Sequence, residues 1–195
     1  MTIRQRILKS MYPFFLKLNR GTKVMSLGLN NSENKQPKIP FYSLKAYDIK
    51  GNEVSFEQYK GKKVMIVNVA SDCGYTGQYD AIQKLYAEHQ KDLVVLGFPA
   101  NNFKGQEPGT DSDIEQFCST NYHITFPLFH KTSVLKPDQD PVFNWLSDKD
   151  KNGWNSKQPT WNFSKYLVNE KGVLTNYFAP AVTPDDATLL EAIKA

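Results

Sequence analysis

One cysteine, Cys73, stands in the stretch NVASDCGYTGQY (residues 68–79), where a valine-rich run ends and a helical spacing begins. A thiol at the start of a helix is set up for nucleophilic chemistry, because the free N–H groups and partial positive charge of the helix N-terminus favour the thiolate. Dithiol exchangers carry a second cysteine three positions on; that position here is Thr76. A lone activated thiol attacks an oxidant once, becomes a sulfenic acid and must then be rescued from elsewhere. The other reading of Cys73 is a small buried hydrophobe at a strand end, and the spacing alone leaves both open. Cys118 is the only other cysteine, and its distance from Cys73 matches no zinc pattern. His89, His123 and His130 have no metal-ligand spacing and no glycine-rich phosphate loop is present, so neither a metal nor another cofactor is expected.

Such a thiol needs a rigid frame, and the hydrophobic periods supply one. KKVMIVNVA (62–70) and DLVVLGFP (92–99) read as buried strands. Between them, residues 77–90 switch to helical spacing, with Tyr79, Ile82, Leu85, Tyr86 and His89 on one face. Residues 41–47 and 53–56 flank DIKGN as a hairpin would. A second helix spans 111–121 with Thr110 as N-cap and Asp113 three residues on. Further along come a helix near 141–147, strands near 165–168 and 174–178, and a final helix over 184–193. Strand, helix, strand followed by hairpin and helix predict an α/β, thioredoxin-like fold: a central mixed sheet flanked by helices, with an N-terminal β-hairpin addition.

At 195 residues the chain has room for one substantial core. The formal net charge of +4 is unevenly spread. Arg4, Arg6, Lys9, Lys17, Arg20 and Lys23 are unopposed until Glu33, and without them 18 basic residues face 20 acidic ones. A nucleic-acid-binding face on the main domain is therefore not expected. Residues 1–38 read as a basic amphipathic extension and linker, and 39–195 as the catalytic domain. Ile3, Ile7, Leu8, Met11, Phe14, Phe15 and Leu18 fall on one helical face, with Pro13 expected to kink or restart the helix. Weak contact of residues 1–28 with a membrane surface and packing of this helix on the domain are the two readings. A secretory signal is the weaker one: the apolar run is short, and Ser26-Leu27-Gly28 is the only cleavage-like triplet. The expected location is cytoplasmic, with membrane association and secretion left open. LNNSENKQPKIP (29–40) is polar and proline-bounded, as a linker would be.

NVASDCGYT, GFPANNFKGQEPG and TWNF resemble, in order and spacing, three signature stretches of the glutathione peroxidase family, and the resemblance covers roughly residues 41–193. It implies an active-site tetrad of Cys73, Gln106, Trp161 and Asn162. Amide and indole N–H groups suit peroxide reduction, because they hold both a thiolate and a departing alkoxide without consuming a base; the Gly74 backbone amide is expected to join them. The stretch SDIEQFCSTNYHITFPLF resembles the two-cysteine branch of the family, which implies that Cys118 is the resolving cysteine. A helical Cys118 lies beyond disulfide reach, so the helix is expected to unwind in turnover. The resemblance further implies a hydroperoxide substrate, a thioredoxin-like reductant in preference to glutathione, and, from the short segment between Pro141 and Trp161, a monomer.

Some positions depart from the family pattern. Asp72 precedes the nucleophile and should raise its pKa. Asn102 stands where glutamine is common, and Ala100 removes an alternative resolver. Lys62, Lys63 and Lys104 are candidates to lie near the thiol. Two other functions compete with the peroxidase: a thiol relay that oxidises a partner through the same disulfide, and a membrane-surface module that uses the domain only as a scaffold.

Overall fold

The computed structural model describes residues 1–19 and 28–195. In chain order the elements are α1 (Ile3–Asn19), β1 (Gly28–Asn30), β2 (Lys45–Tyr47), β3 (Glu53–Ser55), β4 (Lys63–Val69), α2 (Gln78–His89), β5 (Leu93–Pro99), α3 (Asp111–Tyr122), α4 (Pro141–Leu146), α5 (Lys149–Asn152), β6 (Lys165–Val168), β7 (Leu174–Phe178) and α6 (Ala187–Lys194). The central sheet has the order β1-β7-β6-β4-β5. Its β4–β5 pair is parallel, joined through α2, and the other pairs are antiparallel. The hairpin β2–β3 stands apart as a two-stranded sheet. This is the expected thioredoxin-like α/β architecture with its hairpin addition.

The two apolar runs become strands because both of their faces find cover. Along β4, Val64 and Ile66 enter a core with Phe41, Phe98, Phe143 and Trp145. Met65, Val67 and Val69 join Tyr79 and Ile82 of α2, Ile114 and Cys118 of α3, and Leu189 and Ile193 of α6. Successive residues of a strand point to opposite faces, so a strand covered on both sides must be apolar throughout. At roughly 1.5–3 kcal/mol per fully buried large aliphatic side chain, β4 and β5 supply much of the drive for folding. Thr110 caps α3 as expected, with Asp113 completing a capping box.

Three expectations change. The stretch read as linker begins inside a strand: Gly28–Asn30 pairs with Phe178–Asn176 of β7. Helix α1 runs unbroken through Pro13. Its apolar residues are not all on one side of the contact with the domain: Leu8 and Tyr12 are half-buried, whereas Ile3, Ile7, Met11 and Phe14 face out. The inward side also carries polar contacts. Lys9 donates to the Asn121 carbonyl at 3.1 Å and lies over the Tyr122 ring, and Arg4 pairs with Asp72 at 2.9 Å. A Cβ at Gly77 would lie 2.5 Å from the Tyr12 ring, so glycine permits this close approach. The cleavage-like triplet Ser26-Leu27-Gly28 lies mostly outside the described residues. No helix among the described residues is long and apolar enough to cross a membrane.

Candidate active site

Sheet topology brings the candidate residues together. Parallel β4 and β5 end at the same edge, where β4 leads into Cys73 and β5 into the loop that carries Gln106. Because β6 is antiparallel to β4, the residues that precede it, Trp161 and Asn162, lie at that edge too. Asn68, near the end of β4, secures the turn: its carbonyl accepts from the Phe163 amide at 2.6 Å, its Oδ1 from the Ser164 amide at 3.1 Å, and its Nδ2 donates to the Trp161 carbonyl at 3.1 Å. Asn68 is fully buried, and its own side-chain groups would be left unpaired without these bonds.

Cys73 sits in a run of tight turns, five residues before α2 begins. The sequence led to the first turn of the helix itself; the helix dipole acts within about one turn, so its help to the thiol is weaker than expected. Thr76, which occupies the place of a second cysteine, is structural: its hydroxyl accepts from the Cys73 amide at 3.0 Å and donates to the Ala70 carbonyl at 2.8 Å. This turn aims the Tyr75 amide at the Cys73 sulfur, 3.4 Å away. The backbone donor is therefore Tyr75 in place of the expected Gly74. Side-chain N–H groups of Asn162 and Trp161 also act on the sulfur and favour its thiolate. Burial outweighs them, and with a smaller push from Asp72 the thiol stands above its ordinary value. Gln106 touches the sulfur only indirectly: its Oε1 accepts from Asn162 Nδ2 at 3.0 Å, and its carbonyl accepts from the Asp72 amide at 3.0 Å. The left-handed backbone of Lys104 and Gly105 (φ 54° and 63°) makes the sharp loop that turns Gln106 inward.

Cys118 is also buried and free, on the inner face of α3. Burial pushes its thiol up to about 12, against a favourable contact from the Tyr79 hydroxyl. The two cysteines share one apolar cluster but have different neighbours.

A family model described as glutathione peroxidase matches residues 41–147. The chain belongs to the glutathione peroxidase family. It is 43% identical over 145 residues to glutathione peroxidase-like peroxiredoxin 2 of Saccharomyces cerevisiae, covering 74% of this chain and 90% of that protein. Over 145 residues it is 41% identical to the glutathione peroxidase-like peroxiredoxin GPX5 of Chlamydomonas reinhardtii, covering 74% and 89%. A solved structure titled Trgpx in apo form matches with a TM-score of 0.62 at 34% identity, covering 81% of this chain and 97% of that one. A DsbF homologue from Corynebacterium diphtheriae, 14% identical with a TM-score of 0.62, shares the fold. As a glutathione peroxidase family member the chain is a peroxidase, and these relatives favour that reading over the thiol relay.

Within this glutathione peroxidase site, the remaining candidates separate. Lys104 lies 5.7 Å over the Trp161 ring. Lys62 and Lys63 are at the opposite end of β4, bonded to the carbonyls of Gln90 and Ile193, because a strand carries its two ends to opposite edges of the sheet. Asn102 is a loop brace, accepting from the Val134 amide at 2.8 Å and donating to Ser133. No group of metal-ligating side chains occurs among the described residues. Asp72 raises the thiol as its position implied, as a smaller cause than burial, and it pairs with the largely exposed Arg4 of α1 at 2.9 Å. One group went unread in the sequence: Glu107, next to Gln106, is fully buried, and burial raises it to about 7 despite Ser71. Its place inside GQEPG was visible; its burial was not.

Proposed function

We propose that Cys73 is the peroxidatic nucleophile of a thioredoxin-dependent thiol peroxidase that reduces hydrogen peroxide or organic hydroperoxides, and that Cys118 resolves it. The Cys73 thiolate attacks one peroxide oxygen, the O–O bond breaks, and the other oxygen leaves as alkoxide or hydroxide and takes a proton. Cys73 is then a sulfenic acid. The Cys118 thiolate attacks that sulfur and expels hydroxide, which leaves as water, and a Cys73–Cys118 disulfide remains. A thioredoxin-like dithiol supplies two electrons and two protons to restore both thiols. The observation that supports this best is the convergence of N–H donors from Tyr75, Trp161 and Asn162 on one sulfur, with Gln106 holding Asn162 in place. Such donors lie where charge moves from sulfur to the leaving oxygen.

The reading is tested by peroxide consumption with a thioredoxin system and, separately, with glutathione. Wild type should turn over with thioredoxin, and both Cys73→Ser and Cys118→Ser should abolish that turnover. Full thioredoxin-supported activity in Cys118→Ser would return Cys118 to a structural role.

The outward face of α1 supports a weak contact with an anionic membrane surface. Ile3, Ile7, Met11 and Phe14 are 79%, 51%, 54% and 63% exposed, and Arg6 beside them is exposed as well. Burying such side chains yields roughly 1.5–3 kcal/mol each, and the basic residues add attraction to anionic lipid. The helix borders the Cys73 loop through Arg4, so this contact holds the thiol close to the surface. Sedimentation with phosphatidylserine vesicles should capture wild type and lose Ile7→Ser/Phe14→Ser. We further propose a monomer, checked by light scattering.

A further inference from the structure

The first residue of β6, Lys165, is a lysine with no exposed surface and no carboxylate in hydrogen-bond contact. Its Nζ reaches three backbone carbonyls: Phe163 at 2.8 Å, Val182 at 2.7 Å and Pro180 at 3.4 Å. An ammonium has three N–H bonds to give, and a neutral amine only two. The three acceptors belong to two separate segments. Phe163 closes the turn that begins with Trp161 and Asn162, and it holds a left-handed backbone (φ 67°) that a bulky residue rarely adopts. Pro180 also accepts from Gln78 Nε2 at 2.7 Å, and Gln78 is the first residue of α2, directly after the Cys73 turns. Lys165 thus joins the turn that carries two of the donors to the element that follows the thiol.

We infer that Lys165 is a positioning residue for the peroxidase reaction, its ammonium holding the strained Phe163 turn so that Trp161 and Asn162 stay aimed at the Cys73 sulfur. The inference rests on the reading of Trp161 and Asn162 as donors to that sulfur. Side chains that must meet a reacting atom lose rate steeply when they shift, so the groups that lock them matter as much as the donors themselves. Burial brings the Lys165 amine down to about 7, opposed by Asp186, which is the charged group acting on it. Its ladder partners Val67 of β4 and Phe178 of β7, and Gln78 of α2, carry no charge. Loss of the proton removes one of the three N–H groups and the charge that strengthens the other two bonds, and so loosens the turn.

The test uses the full-length chain. Lys165→Met keeps the length of the stem without the donors, and Lys165→Gln restores a neutral donor. For each, the rate constant of Cys73 with hydrogen peroxide is measured by stopped flow, and the Cys73 thiol pKa by pH-dependent alkylation. The expected result is a peroxide rate constant lower by about tenfold or more in Lys165→Met, partly recovered in Lys165→Gln, with the Cys73 pKa moved upward. Folded variants within about twofold of wild type in rate, and with an unmoved thiol pKa, overturn the inference. Asn162→Ala serves as the control: if it too leaves the rate unchanged, the donor reading has failed; if it alone slows the reaction, the Lys165 role has. Should both lysine variants fail to fold, the wild type decides by NMR. The Trp161 indole and Asn162 amide resonances should shift together with the Lys165 Cε resonance as pH rises. Resonances that stay still while the Lys165 signal titrates, at whatever pH that occurs, overturn the inference.

Discussion

The two thiols of this chain lie in one apolar cluster but in opposite kinds of backbone. Cys73 occupies irregular backbone at the edge of the sheet, where short turns and a facing loop direct N–H groups at its sulfur. Cys118 occupies the middle of a regular, well-capped helix, with a phenol as its only helper and a pKa pushed to about 12. A helix consumes its own backbone donors and cannot lend them to a side chain within it. Irregular backbone leaves such donors free. On the roles proposed above, the peroxidatic thiol would be prepared in place, whereas the resolving thiol would be stored until its helix opens.

The sharpest way to break that contrast is to remove each sulfur. Cys73→Ser should lower peroxide turnover by at least about a thousandfold. Cys118→Ser should lose thioredoxin-supported turnover yet retain a single oxidation of Cys73 at nearly the wild-type rate, seen by sulfenic-acid trapping. Next in size, Asn162→Ala or Trp161→Phe should slow the first step by about a hundredfold, since each removes a donor that favours the thiolate. Equal rates in these variants would mean that the furnished site around Cys73 is only packing.

Helix opening gives the third prediction. Amide exchange in residues 114–122 should be slow in the reduced protein and should lose protection when peroxide forms the disulfide; unchanged protection would show that Cys118 reaches Cys73 without unwinding. The pH dependence comes fourth. The Cys73 thiol stands above its ordinary value, so the thiolate fraction should rise about tenfold per unit across pH 6–8 and carry the peroxide rate with it. A plateau below pH 7 would show that the N–H donors already outweigh burial. Smallest of all, Asp72→Asn should lower the thiol pKa and raise the rate by less than about fivefold, and Arg4→Ala should act in the opposite direction, because a half-exposed pair is well screened.

Much of the frame could be read before any coordinates. Strands β4 and β5 were legible because burial on both faces demands unbroken apolar runs, and α3 because Thr110 and Asp113 mark its start. β1 was not, because its three residues are exposed and owe their form to pairing with β7, far along the chain. The side of α1 that meets the domain was left open for a related reason: an amphipathic pattern says that one side is apolar, not which side packs, and that was decided by distant partners such as Asp72, Asn121 and Tyr122. Within the site, Gln106, Trp161 and Asn162 were legible only as motif residues, since no local period links positions so far apart.

What the sequence determined by itself is the inventory: one thiol without a local partner, a second in a helix, amide and indole donors in three motifs, and the apolar runs that must form the sheet. These follow from residue types and short-range periodicity. Tertiary structure alone decided which amide meets the sulfur, that Gln106 accepts from Asn162, and that Lys165 lies sealed among three carbonyls. It also decided that burial, more than the helix, governs the Cys73 thiol. Those outcomes depend on distances of a few ångströms and on the exclusion of water, and both exist only once remote segments have packed together.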